Sequence, residues 1–278
     1  MAASVAAETR QGLDLGQVIN DAVKVQREGG IGWIVLTRSG QINAINDDIR
    51  VGVPHALREL ESDPDIRVVV IRGEGSRGFC AGADIKEQRG PETSIQVRRR
   101  MENARWIEAI DLSQKPIIAA IHGYCMGGGI ELALGCDIRF ASPDAIFSLP
   151  ETALGLIPGG GGTQRLPRVV GPGRAMDMLL TGERINAETA KDIGLVTRLA
   201  TSSESMLDEV REFANRIASK APAATMAVKR AARVALDLDL KKGLDLELDL
   251  FAMLKPSEDA KEAAIAFKEK RTPVFSGR

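Results

Sequence analysis

Glu131 and Glu151 are of a residue type that can move a proton. Glu131 falls in the first turn of a short helix opened by Gly127, Gly128 and Gly129, where the helix dipole favours a carboxylate. Glu151 follows Pro150 after a strand-like stretch, residues 145–149. Two carboxylates can divide the work of base and acid when their surroundings separate their pKa values. Ala83, after Gly82 in a small-residue turn, and Gly128, where a helix begins, offer main-chain amides. The N–H of Gly128 is one of the unbonded amides at a helix start. Fixed amides of this kind stabilise charge developing on a carbonyl oxygen. Each feature also has a plainer reading. Glu131 can be a helix-terminal surface charge, Glu151 a loop salt bridge, and the glycines tight bends.

The elements that must position these groups follow from periodicity. Residues 23–26 and 31–37, joined through Gly29-Gly30, predict a β-hairpin. Asn46 can cap a helix whose apolar stripe is Ile49, Val53, Leu57 and Leu60, with Pro54 expected to kink it or shift its start. Buried strands are expected at residues 68–71, 117–121 and 138–141, from their apolar and β-branched runs. A polar segment, 87–102, precedes a helix through Trp106 and Ile110. Pro158 and four glycines, 159–162, predict a loop with unusual backbone angles or a hinge. Amphipathic helices are predicted over 204–219, 223–236 and 257–270. The expected organisation is a loose tail (1–20), an α/β core (21–205) and a helical C-terminal region (206–278).

Composition narrows the chemistry. With 278 residues, a net charge of −1 and 27% charged residues, the chain suits a large core and has no global field for nucleic acid or an acidic membrane. No apolar run reaches the roughly 20 residues of a membrane span. Three cysteines without metal spacing fit a reducing compartment, and the cytoplasm is the expected location. Two histidines weaken histidine-dependent triads and zinc sites. Gly73, Gly75 and Gly78 form a literal G-x-G-x-x-G, but the helix a dinucleotide site needs does not follow at once. No P-loop ending and no G-x-S-x-G elbow exists.

Three segments together resemble the enoyl-CoA hydratase/isomerase (crotonase) family. They are residues 78–86 (GFCAGADIK), residues 115–132 (KPIIAAIHGYCMGGGIEL), and residues 147–151 (FSLPE) with 155–166 (GLIPGGGGTQRL). The resemblance implies an α/β fold, a crotonase-like spiral of ββα units with a helical C-terminal region, assembled as a homotrimer or a dimer of trimers. It implies an acyl-CoA thioester substrate and no cofactor, coenzyme A being part of the substrate. Ala83 and Gly128 map onto the family's oxyanion hole. Glu131 maps onto the residue that activates water, and Glu151 onto the one that supplies the proton to Cα. The CoA-contacting stretch maps onto Ala83, Asp84, Ile85 and Lys86, with Phe267 on a C-terminal helix that often closes the site, sometimes from a neighbouring subunit. Isomerase members often lack one of the two glutamates, so the pair implies hydration of a 2-enoyl-CoA. A related dehydratase or isomerase, or a non-catalytic CoA-binding member, is the alternative.

The chain departs from the family pattern in three places. Residues 38–44 lack the proline that commonly follows the arginine, which puts a CoA contact by Arg38 in doubt. His122 stands where asparagine is common and is read as a hydrogen-bonded structural residue. Tyr124, the single tyrosine, is read as a packing residue near the glycine turn.

Overall fold

The computed structural model describes residues 16–87 and 90–278. Its strands are β1 (Gln17–Asn20), β2 (Val23–Glu28), β3 (Ile31–Leu36), β4 (Val68–Gly73), β5 (Ile117–Ile121), β6 (Tyr124–Met126), β7 (Ile138–Ala141), β8 (Ile146–Ser148), β9 (Ile185–Asn186) and β10 (Arg198–Leu199). Its α-helices are α1 (Asp47–Ser62), α2 (Ser94–Asn103), α3 (Glu108–Leu112), α4 (Gly128–Gly135), α5 (Gly162–Val170), α6 (Pro172–Thr181) and α7 (Ala187–Asp192), then α8 (Met206–Ala218), α9 (Pro222–Arg233), α10 (Leu240–Leu254) and α11 (Glu258–Glu269).

A seven-stranded sheet runs β1-β2-β3-β4-β5-β7-β10. The expected hairpin forms β2 and β3, in register from Val23↔Leu36 to Glu28↔Ile31, and the strands from β3 to β10 pair in parallel. Both faces of these parallel strands are covered, so their sequences read as unbroken apolar runs. On one face Ile34, Leu36, Val69, Ile71, Ala119 and Ile121 pack against α1, α4 and the smaller sheet. On the other, Trp33, Val70, Ile118 and Phe140 pack against Met206, Val210 and Ala214 of α8. A second sheet, β6-β8-β9, stands beside the first.

Three expectations need correction or completion. Residues 17–20, expected to be loose, form the edge strand β1, paired antiparallel with β2; residues 1–15 lie outside the described part. Pro54 neither starts nor ends α1, which runs unbroken from Asp47 to Ser62 with Asn46 accepting from the Ile49 amide. Proline inside a helix costs about 3 kcal/mol, whereas burying each of Ile49, Val53, Leu57 and Leu60 contributes roughly 1.5–3 kcal/mol. Packing therefore outweighs the lost hydrogen bond. Lastly, α10 was not visible as a stripe, and it buries only Leu250.

The C-terminal helices are tied to the core by charge as well as by apolar contact. Lys229 of α9 is buried, and its Nζ donates to the Lys115 carbonyl at 2.6 Å and pairs with Asp137 at 2.9 Å. Arg233 donates to the Gly135 carbonyl at 2.6 Å and bridges Asp137 and Asp111. No described helix is long and apolar enough to cross a membrane.

Candidate active site

The opening of α4 is where the pieces meet. Gly127 adopts φ +50°, and its N–H donates to the Ser148 carbonyl at 2.8 Å, which joins the helix start to β8. Opposite lies the turn at Gly82, with φ +88°. A Cβ on Gly82 would stand 2.9 Å from the Met126 carbonyl oxygen and 3.3 Å from the Gly128 nitrogen. Only glycine lets these two backbones approach so closely.

The direction of the Ala83 amide follows from its pairing. Ile45 donates to the Gly82 carbonyl at 2.8 Å and accepts from the Asp84 amide at 3.0 Å, a parallel bridge that straddles Ala83. In such a bridge the straddled residue turns its own N–H away from its partner strand. The Gly128 N–H is the first of α4 and has no intrahelical acceptor. Among the described residues neither amide donates to a backbone carbonyl. The two amides are neighbours, since a Cβ on Gly128 would lie 3.8 Å from the Ala83 nitrogen.

Glu131, one turn into α4, is 4% exposed. Its Oε1 accepts from the amides of Gly160 (2.7 Å) and Gly162 (2.8 Å). Burial raises its pKa, opposed by these two amides and by the Arg165 charge, with burial the largest effect. Glu151 follows Pro150 in a 3₁₀ segment, Pro150–Leu154. Its Oε1 lies 2.9 Å from where a Cβ of Gly127 would stand, and its buried Oε2 has no hydrogen-bond partner among the described residues. Burial pushes this pKa up, and the charge of Glu131 adds to the rise. The fold thus brings Glu131, Glu151, Gly128 and Ala83 to one place. Two carboxyl groups with raised pKa values beside two amides that donate to no described backbone carbonyl are an arrangement that can exchange protons next to a polarised carbonyl.

The other residues singled out in the sequence are placed differently. Asp84 turns its carboxylate inward, to Arg38 Nη2 at 2.8 Å and the Lys86 amide at 3.0 Å, and these hold its pKa below the usual range. Arg38 also donates to the Ala44 carbonyl, so its guanidinium braces the loop rather than standing free for a ligand. Ile85 is 85% exposed, and Lys86 is exposed beside it. Phe267 is 86% exposed on α11, so it does not line an enclosed site within one chain. His122 Nε2 bonds the Gly75 carbonyl at 2.8 Å, matching its structural reading. Tyr124 is half-exposed, with the Arg184 guanidinium 5.8 Å from its ring centre. Cys80, Cys125 and Cys136 are buried, and burial raises all three thiols, Cys80 and Cys136 to about 12. They are not nucleophiles. After Gly73, Gly75 and Gly78 the next α-helix among the described residues begins only at Ser94, which does not fit a dinucleotide site.

Sequence reasoning read the glycines at 159–162 as a loop or hinge and missed that two of them hold Glu131. The reason they must be glycine is steric. A Cβ on Gly160 would lie 2.7 Å from Glu131 Oε2 and 2.8 Å from Ile107 Cδ1. The loop is braced from behind by Arg165, whose guanidinium pairs with Asp111 and packs across Gly161. Gly160→Ala should therefore displace the carboxylate, the softer of the two obstacles. A misplacement of about 1 Å costs about 100-fold in rate. We expect that loss in turnover with near-native circular dichroism and thermal midpoint; undiminished turnover would show that Glu131 tolerates the shift.

The paired carboxyls and outward amides define a class of site that moves protons beside a polarised carbonyl. Comparison with known proteins makes the class specific. The family model described as Enoyl-CoA hydratase/isomerase matches residues 26–278. The chain is 37% identical to the short-chain-enoyl-CoA hydratase of Clostridium acetobutylicum, covering 90% of this chain and 95% of that protein. It is 37% identical to the crotonyl-CoA hydratase of Syntrophomonas wolfei, with 90% and 96% covered. Its fold matches the crystal structure of an enoyl-CoA hydratase from Bacillus anthracis with a TM-score of 0.88 and 37% identity, covering 92% of this chain and 100% of that one. The chain belongs to the enoyl-CoA hydratase/isomerase family and has the crotonase fold.

Proposed function

We propose that the protein catalyses the reversible addition of water to a 2-enoyl-CoA, giving a 3-hydroxyacyl-CoA. The observation that carries this reading is the meeting of buried Glu131 and half-buried Glu151 at the glycine-led start of α4, next to two amides that donate to no backbone carbonyl among the described residues. In the forward direction Glu131 takes a proton from water as its oxygen bonds to Cβ. Electrons move onto the thioester oxygen, where the amides of Ala83 and Gly128 stabilise the charge. The enolate then collapses as Cα takes a proton from Glu151. Every group involved belongs to the chain or the substrate. An isomerase can work with one carboxyl group; the second, half-buried and with its pKa also raised, favours hydration.

Coenzyme A would run along the loop after Ala83, with the exposed Lys86 suited to a phosphate. The acyl end has room beyond the glycine loop. A cavity of about 270 Å³ lies between α2, α3 and residues 159–161, where Met101, Ala104, Trp106 and Ile107 form an apolar part and Arg98, Glu102, Arg105, Glu108 and Arg165 a charged one. Exposed apolar side chains on α10 (Leu240, Leu244, Leu248, Phe251) and Phe267 on α11 support a homotrimer or dimer of trimers, in which Phe267 serves a neighbouring subunit. Buried free thiols support a cytoplasmic setting.

The direct test is loss of the conjugated-thioester absorbance when purified protein meets short, long, branched and aromatic enoyl-CoA thioesters. Absence of turnover on all of them overturns the reading. The acyl assignment makes its own prediction. Ala104→Phe should fill the cavity and lower kcat/KM for a long enoyl-CoA by about 10–100-fold, the equivalent of one or two displaced methylenes. Crotonyl-CoA, with a single carbon beyond Cβ, should be turned over as before. Equal losses on both chain lengths would remove the cavity from the acyl path.

A further inference from the structure

Asn43 combines three features that stability alone does not account for. It is 0% exposed. It has φ +55°, a left-handed conformation that asparagine tolerates, directly after Ile42 at φ +51°, where a β-branched residue is an outlier. Among the described residues its buried Oδ1 accepts no hydrogen bond. A β-branched residue in the left-handed region persists only where the surroundings enforce it, and such outliers concentrate at functional sites.

What Asn43 does is visible on its other side. Its Nδ2 faces the carbonyls of Glu74, Gly78 and Phe79, each at 3.1 Å. Gly73 leaves room for this, since a Cβ there would lie 2.6 Å from Nδ2. The backbone around Asn43 continues the same clamp. Its carbonyl accepts from Cys80 Sγ at 3.2 Å, and the Ile42 carbonyl accepts from the Ala81 amide at 2.9 Å. Ile45 then straddles Ala83 through the Gly82 carbonyl and the Asp84 amide. Residues 42–45 are thus fastened to the chain from Gly78 to Asp84, and that stretch ends on the amide that faces Gly128. A small rotation at Gly78 or Phe79 would propagate to Ala83, because the intervening Gly82, at φ +88°, is free of side-chain restraint.

We propose that Asn43 is a positioning residue for the reaction, aiming the Ala83 N–H at the thioester oxygen by fixing the carbonyls of the turn that carries it. This rests on the hydratase reading of the site. It concerns the direction of one amide and not the acid–base pair, so it leaves its mark on the bound carbonyl.

The test uses Asn43→Gly, which keeps access to the left-handed backbone and removes only the side chain, with Asn43→Asp as a second variant that keeps the shape and loses the donors. The probe is butyryl-CoA, saturated and unreactive, isotope-labelled at the thioester carbonyl and observed by infrared difference spectroscopy on the full-length protein. In the wild type the bound carbonyl stretch should move to lower frequency than in free butyryl-CoA. In Asn43→Gly that displacement should fall by more than half, and kcat on crotonyl-CoA should fall about 100-fold, the loss typical of one oxyanion donor. KM should stay within about threefold, since the carbonyl contact is strongest in the transition state. A folded variant with the wild-type stretch and kcat overturns the proposal even if its thermal midpoint has dropped, because a structural role predicts that result. Failure of both variants to fold places Asn43 in the scaffold and overturns it equally. If the wild type shifts the carbonyl yet hydrates no enoyl-CoA, the hydratase reading fails instead.

Discussion

Glu131→Gln should lower turnover on crotonyl-CoA by about a thousandfold while leaving the folded protein as stable as the wild type or more so at neutral pH. The rate loss is that of a general base, whose contribution is about 10²–10⁴-fold. The neutrality of the fold follows from how Glu131 is held. Glutamine keeps an Oε1 that can accept from Gly160 and Gly162, so the loop retains its anchor. What disappears is a charge that burial disfavours, and the direction of the pKa shift says how this depends on pH. The Glu131 pKa is raised in the folded state, so between the ordinary carboxylate value and the folded one the native protein binds more protons than the unfolded chain. Wild-type stability therefore declines as pH rises through that window. Glutamine carries no such penalty. The thermal midpoint of the variant should match the wild type near pH 4 and exceed it increasingly up to the folded pKa, then keep a constant lead. A variant that loses stability at pH 7–8 would show that the carboxylate's two hydrogen bonds outweigh its desolvation. One that keeps wild-type turnover would end its assignment as base.

How far the chain reveals this arrangement before folding depends on the length scale of each contact. Local chemistry was legible. Asn46 caps α1 by accepting from Ile49, three residues on, and Gly29-Gly30 sets the register of β2 against β3. The strands β4, β5 and β7 announce themselves because both of their faces are buried. Elements with little local signal were missed. β9 and β10 are two residues each, too short for any period. The leucines and Phe251 of α10 occupy several faces of the helix and leave most of their area uncovered in a single chain, so no buried stripe exists to be read. As isolated residues the glutamates read best as surface charges, and only the three family-like segments single them out. The groups that hold the site were the least visible. Gly160 and Gly162 lie 29 and 31 positions from Glu131, and Asn43 lies 31 to 36 positions from the carbonyls it grips. Contacts of that range arise from topology, which no local pattern encodes.

The division of labour between the glutamates can be separated by a second large effect. Glu151→Gln should also lower hydration by about a thousandfold, but only this variant should abolish exchange at Cα. Exchange of the Cα protons of butyryl-CoA with deuterated water needs a base at Cα and stabilisation of the resulting enolate oxygen, and no water activation at Cβ. With Glu151 as that base, exchange should fall about a hundredfold or more in Glu151→Gln and by less than about tenfold in Glu131→Gln. The environment of Glu151 makes the variant a clean one. Its Oε2 has no partner to lose among the described residues, and Gly127 leaves space against its Oε1 that glutamine fills equally well. The like charge of Glu131 contributes to the raised pKa of Glu151, so Glu131→Gln should also move the exchange profile. With that charge gone, Glu151 ionises at lower pH, and the rise of exchange with pH should begin earlier than in the wild type. Exchange lost equally in both variants would mean that the carboxyl groups act on Cα as one unit. Exchange lost only in Glu131→Gln would reverse the two roles, placing the base for Cα on α4 and the water on the side of Glu151.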